Sequence, residues 1–191
     1  MKKTAFHNMH VQAGAKMVSF AGFEMPIQYP TGILEEHRIV RNGVGVFDVS
    51  HMGEFFVKGS DALALIQKIS INDASKLTPG KAQYSAMCTE DGGIVDDLLV
   101  YCLAENSYML VVNGANVDKD FAWVQTNAAG FANVSVTDES DEISLLAVQG
   151  PASLDVLQTL TDVNLSEIPY YSFVEGVLAG APMIISRTGY T

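Results

Sequence analysis

Positive charge is scarce in this sequence of 191 residues, in which 11 lysines and arginines stand against 22 aspartates and glutamates. The formal net charge is −11. A protein that binds the phosphate backbone of nucleic acid needs a basic stripe, and none is visible here. The composition therefore argues against nucleic acid as the principal partner, although it leaves room for a small anionic ligand held by a few local donors.

Long apolar runs are missing as well. No run approaches the roughly 18 residues that a membrane-spanning helix needs. The N-terminal segment Met1-Lys-Lys-Thr-Ala-Phe-His7 has two lysines but lacks the apolar stretch that follows them in a secretory signal. It is also not rich in arginine and serine, as an organelle import sequence is. We therefore expect a cytoplasmic protein with no membrane partner.

Cysteine is rare too, and only Cys88 and Cys102 occur. If their two strands pair as a hairpin, Cys88 lies opposite Val95 and Cys102 opposite Lys81, which is too far apart for a disulfide. The spacing of the cysteines and of the four histidines matches no metal motif. Glycine-rich phosphate loops and dinucleotide fingerprints are also lacking, and we expect no metal cofactor.

The most informative segment that is present runs from Tyr84 to Tyr101. It predicts a β-hairpin, because Asp-Gly between two apolar runs, here within Glu90–Gly93, is a strong hairpin signal. The second strand carries Asp96 and Asp97 among isoleucine, valine and leucine. A carboxylate against packed side chains costs several kcal/mol unless it is hydrogen-bonded or protonated. Folding alone does not require that expense.

Strand alternation assigns the two acids to opposite faces. In the assumed register Tyr84 lies opposite Leu99, so that Tyr84, Asp97 and Tyr101 share one face. Asn113, at the end of the next strand, adds an amide. Such a surface suits a planar heteroaromatic ligand with ring N–H groups. The alternative is that the acids protect an edge strand against aggregation and the tyrosines are ordinary sheet residues; the residues alone leave both interpretations open.

The order of predicted elements indicates an α+β fold, with mostly antiparallel sheets and flanking helices. Residues 55–140 look self-contained, so we expect residues 1–54 and 141–191 to form a discontinuous partner subdomain. The predicted helices are 31–43, with Thr31 as N-cap, 60–69, with Ser60 as N-cap, 116–130 and 151–161. Besides the hairpin, the predicted strands are 17–20, 25–27, 44–59, 107–113, 134–136, 143–148, 170–178 and 182–187.

Several segments, in order along the whole chain, resemble the N-terminal half of aminomethyltransferase, the T-protein of the glycine cleavage system. The matching segments are His10–Pro26, Gly45–Glu54, Gly92–Leu98, Gln149–Pro151, Tyr170–Phe173 and Ser186–Thr191. The resemblance implies a folate-binding, aminomethyltransferase-like fold whose C-terminal part is absent from this sequence.

The resemblance also implies a reaction. Enzymes of this family take an aminomethyl group from the lipoyl arm of the H-protein, release ammonia and pass the one-carbon unit to tetrahydrofolate, which gives methylenetetrahydrofolate. The second aspartate of the Gly-Gly-Ile-x-Asp-Asp motif is the catalytic carboxylate in the family, and here it is Asp97. Its implied role is to position and polarise the reacting folate nitrogen, or to carry its proton. Asp96 is then structural.

Six further positions match residues that line the folate cavity in the family. They are Tyr84, Tyr101, Asn113, Tyr170, Tyr190 and Met52. In the family the motif Arg187–Thr191 continues into Gly-Glu, and this glutamate helps to hold the pterin. That glutamate, a C-terminal domain and arginines around the cavity are not part of the sequence. We therefore expect a fragment that binds folate weakly and does not turn over.

Two other function classes stay open. One is a folate-binding module without transferase activity, either of the iron–sulfur assembly type or of the sarcosine or dimethylglycine oxidase type. The iron–sulfur relatives carry Lys-Gly-Cys-Tyr where this chain has Arg187-Thr-Gly-Tyr190, and an oxidase fusion needs a preceding flavin domain, for which Met1 leaves no room. The other is a non-catalytic interaction domain, favoured only if Asp97 is solvated and unperturbed.

Overall fold

The computed structural model describes residues 1–189, which contain five α-helices and eleven β-strands. The helices are α1 (His7–Gln12), α2 (Ile33–Asn42), α3 (Ala62–Ile69), α4 (Val117–Ala128) and α5 (Ser153–Gln158). The strands are β1 (Lys16–Phe20), β2 (Phe23–Gln28), β3 (Gly45–Asp48), β4 (Gly53–Lys58), β5 (Lys81–Cys88), β6 (Ile94–Ala104), β7 (Ser107–Val112), β8 (Ser135–Asp138), β9 (Leu146–Gln149), β10 (Ser172–Leu178) and β11 (Ala181–Arg187).

The strands form three sheets, and within each sheet the described pairings of neighbouring strands are antiparallel. Strands β1 and β2 make one two-stranded sheet, and β3 and β9 make another. The third sheet has seven strands in the order β11-β10-β5-β6-β7-β4-β8. The predicted α+β class with mostly antiparallel sheets is therefore confirmed. The longest described helix, α4, has 12 residues, and none of the described helices is long and apolar enough to cross a membrane.

The chain divides into two compact units. Unit 1 comprises Met1–His51, Ser144–Glu167 and Glu175–Met183. Unit 2 comprises Met52–Ile143, Ile168–Val174 and the described residues from Ile184 onward. The predicted subdomains, 55–140 against 1–54 plus 141–191, stay a prediction.

The core of unit 2 lies between one face of the large sheet and the helices α3 and α4. Alternate residues of the central strands point into it, among them Leu98, Val100 and Cys102 of β6. Helix α3 contributes Leu65 and Ile66, which are fully buried. Each such side chain adds about 1.5 to 3 kcal/mol by leaving water. We call this side of the sheet the core face and the opposite side the site face.

The hairpin register agrees with the sequence prediction over most of its length. Tyr84 pairs with Leu99, and Lys81 pairs with Cys102. The prediction for Cys88 is wrong, because a register shift after Met87 places it opposite Ile94 instead of Val95. Such a bulge inserts one unpaired residue into one strand and has no sequence signature of its own.

Several predicted element boundaries are wrong. The sequence pattern does not predict helix α1, and the predicted strand 44–59 is two strands, β3 and β4, joined by a turn. Helix α2 begins at Ile33 after Gly32, without a side-chain cap from Thr31. Helix α3 begins at Ala62, not at the predicted cap Ser60, because the backbone N–H of Asn133 donates to Asp61 and holds the chain in a turn there. Helix α5 ends at Gln158.

Long-range polar contacts explain why α1 escapes prediction. Its His10 lies 2.8 Å from the hydroxyl of Tyr29 through Nδ1 and 2.9 Å from Asp48 through Nε2. Both partners are far along the chain, so that a six-residue helix with little propensity of its own is held by unit 1. Local pattern reading does not detect such support.

Candidate active site

Asp97 lies in the middle of β6 on the site face of the large sheet. Its neighbours Leu98 and Asp96 are buried on the core face, whereas Leu99 and Tyr101 share the site face with Asp97. The two consecutive acids therefore point in opposite directions. Because Tyr84 pairs directly with Leu99, the site face also carries Tyr84.

Both carboxylate oxygens of Asp97 accept short hydrogen bonds. The hydroxyl of Tyr84 donates to Oδ2 over 2.6 Å. The side-chain amide of Asn113 donates from Nδ2 to Oδ1 over 2.6 Å. Hydrogen bonds to an ionised acceptor are shorter and about twice as strong as neutral ones. One donor on β5 and one directly after the end of β7 thus fix the orientation of the Asp97 carboxylate.

Asn113 contacts both aspartates at once. Its Nδ2 atom also lies 3.1 Å from Oδ1 of Asp96 and 3.3 Å from the main-chain carbonyl of Asp97. Carboxylates and carbonyls only accept, so the amide must present its NH₂ group to them. Its carbonyl oxygen consequently faces away from the two acids.

Tyr101 belongs to the same face but to a different cluster. Its ring packs against that of Phe173 with a centroid distance of 5.3 Å, and its hydroxyl lies 3.1 Å from Oγ of Ser186. Only 6% of Tyr101 is exposed. Burial raises the pKa of Tyr101 above its ordinary value although the Ser186 hydrogen bond opposes this, so the hydroxyl stays protonated near neutral pH. Tyr84, at 43% exposure, presents much more of its ring.

The remaining predicted site residues are less closely connected to Asp97. Tyr170 is exposed and packs edge-on against Tyr171, with ring centroids 4.8 Å apart. Met52 is half-buried in the turn before β4. Tyr190 lies outside the described residues. The structure thus brings Tyr84, Asn113 and Asp97 together, whereas the roles assigned to all six cavity positions stay predictions.

Sequence reasoning missed Asp120, a fully buried acid on α4. Its side chain is in hydrogen-bonding contact with Asp96 on β6. Burial, followed by the neighbouring Asp96, raises the pKa of Asp120 to about 7. Helical periodicity was a usable signal, because residue 120 falls on the inward face together with Val117 and Val124.

A second missed acid is Glu54 on β4, with an exposed fraction of 2%. Pairing places Glu54 beside Val111, Val111 beside Leu99 and Leu99 beside Tyr84, so these four residues form one row across the site face. Both carboxyl oxygens of Glu54 are buried without a described hydrogen-bond partner. Burial, and to a lesser extent Asp138, raises the pKa of Glu54 to about 8.

The match to a protein family covers nearly the whole chain. The family profile described as the GCVT N-terminal domain matches residues 6–191. Curated proteins named Aminomethyltransferase from Flavobacterium psychrophilum and Moorella thermoacetica are 55% and 54% identical to this chain over its full length, and the chain covers 52% of each. It therefore spans about half the length of the curated relatives that it matches.

Solved structures show the same fold. The structure of glycine cleavage system aminomethyltransferase T from Bartonella henselae matches with a TM-score of 0.86 and 36% identity, over 100% of this chain and 51% of that one. This confirms the predicted aminomethyltransferase-like fold. The heterotetrameric sarcosine oxidase from Corynebacterium sp. U-96 matches with a TM-score of 0.55 and 19% identity, over 83% of this chain and 78% of that one. That likeness concerns the fold alone.

Proposed function

The chain belongs to the family described as the GCVT N-terminal domain, and on that premise we propose that it supplies the folate-facing half of a glycine cleavage aminomethyltransferase. The complete enzyme takes the aminomethyl group from the lipoyl arm of the H-protein and yields methylenetetrahydrofolate and ammonia. The curated relatives named Aminomethyltransferase and the likeness to the Bartonella henselae glycine cleavage protein support this assignment.

One observation carries the proposal at the level of residues. The Asp97 carboxylate is held from two sides, by the hydroxyl of Tyr84 and by the amide of Asn113, each at 2.6 Å. Fixing the orientation of this carboxylate on a largely buried sheet face buries no additional apolar surface, so it does not stabilise the fold by packing. It does prepare an acceptor for a ligand, since groups fixed before binding lose less entropy when the ligand arrives.

The donor and acceptor chemistry of this cluster fits tetrahydrofolate. The pterin ring of that cosubstrate carries N–H and amino donors on a flat heteroaromatic frame. Asp97 offers a charged acceptor, and the Asn113 carbonyl, which faces away from the aspartates, offers a neutral one. The half-exposed ring of Tyr84 presents an aromatic surface beside them.

Asp97 is then the catalytic carboxylate. Bound tetrahydrofolate supplies the nitrogen nucleophiles that accept the one-carbon unit. The Asp97 carboxylate accepts a hydrogen bond from the N–H of the reacting nitrogen, which orients the nitrogen towards the methylene carbon. The same oxygen holds the proton that the nitrogen gives up as the new C–N bond forms. Tyr84 and Asn113 maintain the geometry.

The remaining cavity positions complete the proposal. Tyr101, Tyr170, Tyr190 and Met52 form further parts of the folate wall, because they match the family positions that line it. We place the enzyme in the cytoplasm, with the lipoylated H-protein as its macromolecular partner. The free thiols of Cys88 and Cys102 agree with a reducing compartment.

Relatives named for the transferase also bear on the alternative functions. Curated proteins at 49% to 55% identity over the whole chain carry the name Aminomethyltransferase. The oxidase structure is 19% identical to this chain over the matched region, too little to carry over an activity. Asp97 is half-buried and hydrogen-bonded, which disfavours a non-catalytic interaction domain.

Calorimetric titration of this chain with tetrahydrofolate tests the proposal. We expect weak binding, and we expect Asp97→Asn to lower the affinity at least about 10-fold, because the variant replaces a charged acceptor by a neutral one. Asp118→Asn is the matched control, since it removes the same charge from the exposed side of α4. Absence of binding by the unaltered chain, or equal affinity in the Asp97→Asn variant, contradicts the proposed site.

A further inference from the structure

Two carboxyl groups face each other beneath the candidate site, where α4 packs against β6. Asp120 is fully buried and Asp96 nearly so, and their side chains are in hydrogen-bonding contact. If both are treated as carboxylates, Oδ2 of Asp96 and both oxygens of Asp120 lack a hydrogen-bond donor. Lys119 forms an ion pair with Asp120 in which Nζ lies 3.7 Å from Oδ1, too long for a good hydrogen bond, and it also donates to the carbonyl of Val95 over 2.6 Å.

A single proton between the two groups satisfies two of these three oxygens, since one oxygen of Asp120 becomes the donor and Oδ2 of Asp96 the acceptor. Two carboxylates in contact cannot both stay ionised in a buried position, and the proton belongs to the one with the higher pKa. Burial and Asp96 raise the pKa of Asp120 to about 7. Burial also raises the pKa of Asp96, but hydrogen bonds from Asp120, Asn116, Asn113 and the main chain outweigh it and leave that pKa lowered. Asp120 is therefore the acid and Asp96 the carboxylate.

An ionised Asp96 has a direct consequence for Asn113. The Asn113 amide nitrogen has two protons, and both find anionic acceptors: Oδ1 of Asp97 at 2.6 Å and Oδ1 of Asp96 at 3.1 Å. If Asp96 were neutral and presented its own O–H group to Asn113, the O–H and N–H donors would repel each other and the amide would turn around. The amide then turns its carbonyl oxygen towards Asp97, where two acceptors repel as well.

We propose that Asp120 is a positioning residue for this site: as a neutral acid it donates its proton in a hydrogen bond to Asp96, which keeps Asp96 anionic and holds the Asn113 amide in the orientation that fixes Asp97. The proposal rests on the proposed function only for the role of Asp97 as the folate-facing carboxylate. The arrangement of Asp120, Asp96 and Asn113 stands on the contacts themselves.

The charged groups that face Asp120 limit which variants are informative. They are Asp96 from β6 and Lys119 from its own helix. Asp120→Asn keeps a donor for Asp96 at the same place and removes the titration. Asp120→Leu removes the donor but suits the apolar inward face formed by Val117 and Val124, so that α4 keeps its packing.

The test compares both variants with the unaltered chain in three measurements. The first is the proton chemical shift of the Asn113 side-chain amide, which moves downfield when the amide donates to carboxylates. The second is the infrared difference spectrum between the unaltered chain and Asp120→Asn at pH 5.5. In that spectrum the C=O stretch of the protonated Asp120 is isolated, because Glu54 contributes equally to both proteins. The third is the affinity for tetrahydrofolate.

We expect Asp120→Asn to keep the Asn113 amide shift and to bind tetrahydrofolate within about threefold of the unaltered chain. We expect Asp120→Leu to lose the shift and to bind about 10-fold more weakly, the usual loss for a hydrogen bond to a charged group. Equal Asn113 shifts in both variants, or no carboxylic acid band in the difference spectrum, overturn the proposal. If the unaltered chain does not bind tetrahydrofolate, the proposed function fails, and the amide shift and the infrared band still decide the role of Asp120.

Discussion

Asparagine in place of Asp97 is expected to lower the turnover of a full-length aminomethyltransferase that carries this sequence by about 100-fold or more, the usual scale for a positioned acid–base group. The substitution removes the charge and keeps the shape. The amide of Asn113 still donates to the one remaining oxygen, and the hydroxyl of Tyr84 reverses its role and accepts from the new NH₂ group. Both hydrogen bonds of the cluster are therefore kept, so that a loss of rate is due to the missing carboxylate.

The measurement is the steady-state rate with tetrahydrofolate and aminomethylated H-protein. Asp118→Asn again serves as the matched control, because it changes the net charge equally and lies on the exposed side of α4. We expect this control to keep its rate, and both variants to unfold at the same denaturant concentration as the parent protein. An unchanged rate in the Asp97→Asn protein removes Asp97 from the mechanism.

The features that the sequence predicted well depend on local signals. The hairpin from Tyr84 to Tyr101 was predictable because an Asp-Gly turn joins two apolar strands, and the alternation of β6 then assigned Asp96 and Asp97 to opposite faces. The pairing of Tyr84 with Leu99 agrees with the predicted register, although the turn itself pairs Cys88 with Ile94 and the shift between Met87 and Cys88 is needed to reach that register. The bulge leaves Val95 unpaired, between the partners of Met87 and Cys88, and it lies outside this logic because it has no sequence signature of its own.

The features that were missed depend on contacts between distant segments. Asp120 carries a visible anomaly, an acid on the inward face of a helix, but its partner Asp96 is known only once α4 is packed against β6. Glu54 has the same anomaly on β4, between Gly53 and Phe55. In each case the sequence reveals that a buried acid exists, and only the structure reveals what surrounds it.

Glu54 should make the protein markedly less stable at alkaline pH. Its pKa rises from the ordinary value of 4.5 to about 8, first because the side chain is buried and second because Asp138 lies nearby. Between these two values the folded protein holds a proton that the unfolded chain has released. The free energy of unfolding therefore falls as the pH rises through this window, by about 4 to 5 kcal/mol in total at about 1.4 kcal/mol per pKa unit.

Glu54→Gln isolates this contribution, because glutamine has the shape of the neutral acid and does not titrate. Urea unfolding at pH 5 should give nearly equal stabilities for the variant and the parent, whereas at pH 9 the variant should be several kcal/mol more stable. The free energy of unfolding of the variant should still fall somewhat as the pH rises, since the raised pKa of Asp120 acts in the same direction. Glu105→Gln, in the exposed turn between β6 and β7, controls for the change in net charge. Parallel stability curves for Glu54→Gln and the parent would mean that folding does not raise the pKa of Glu54, and would overturn this prediction.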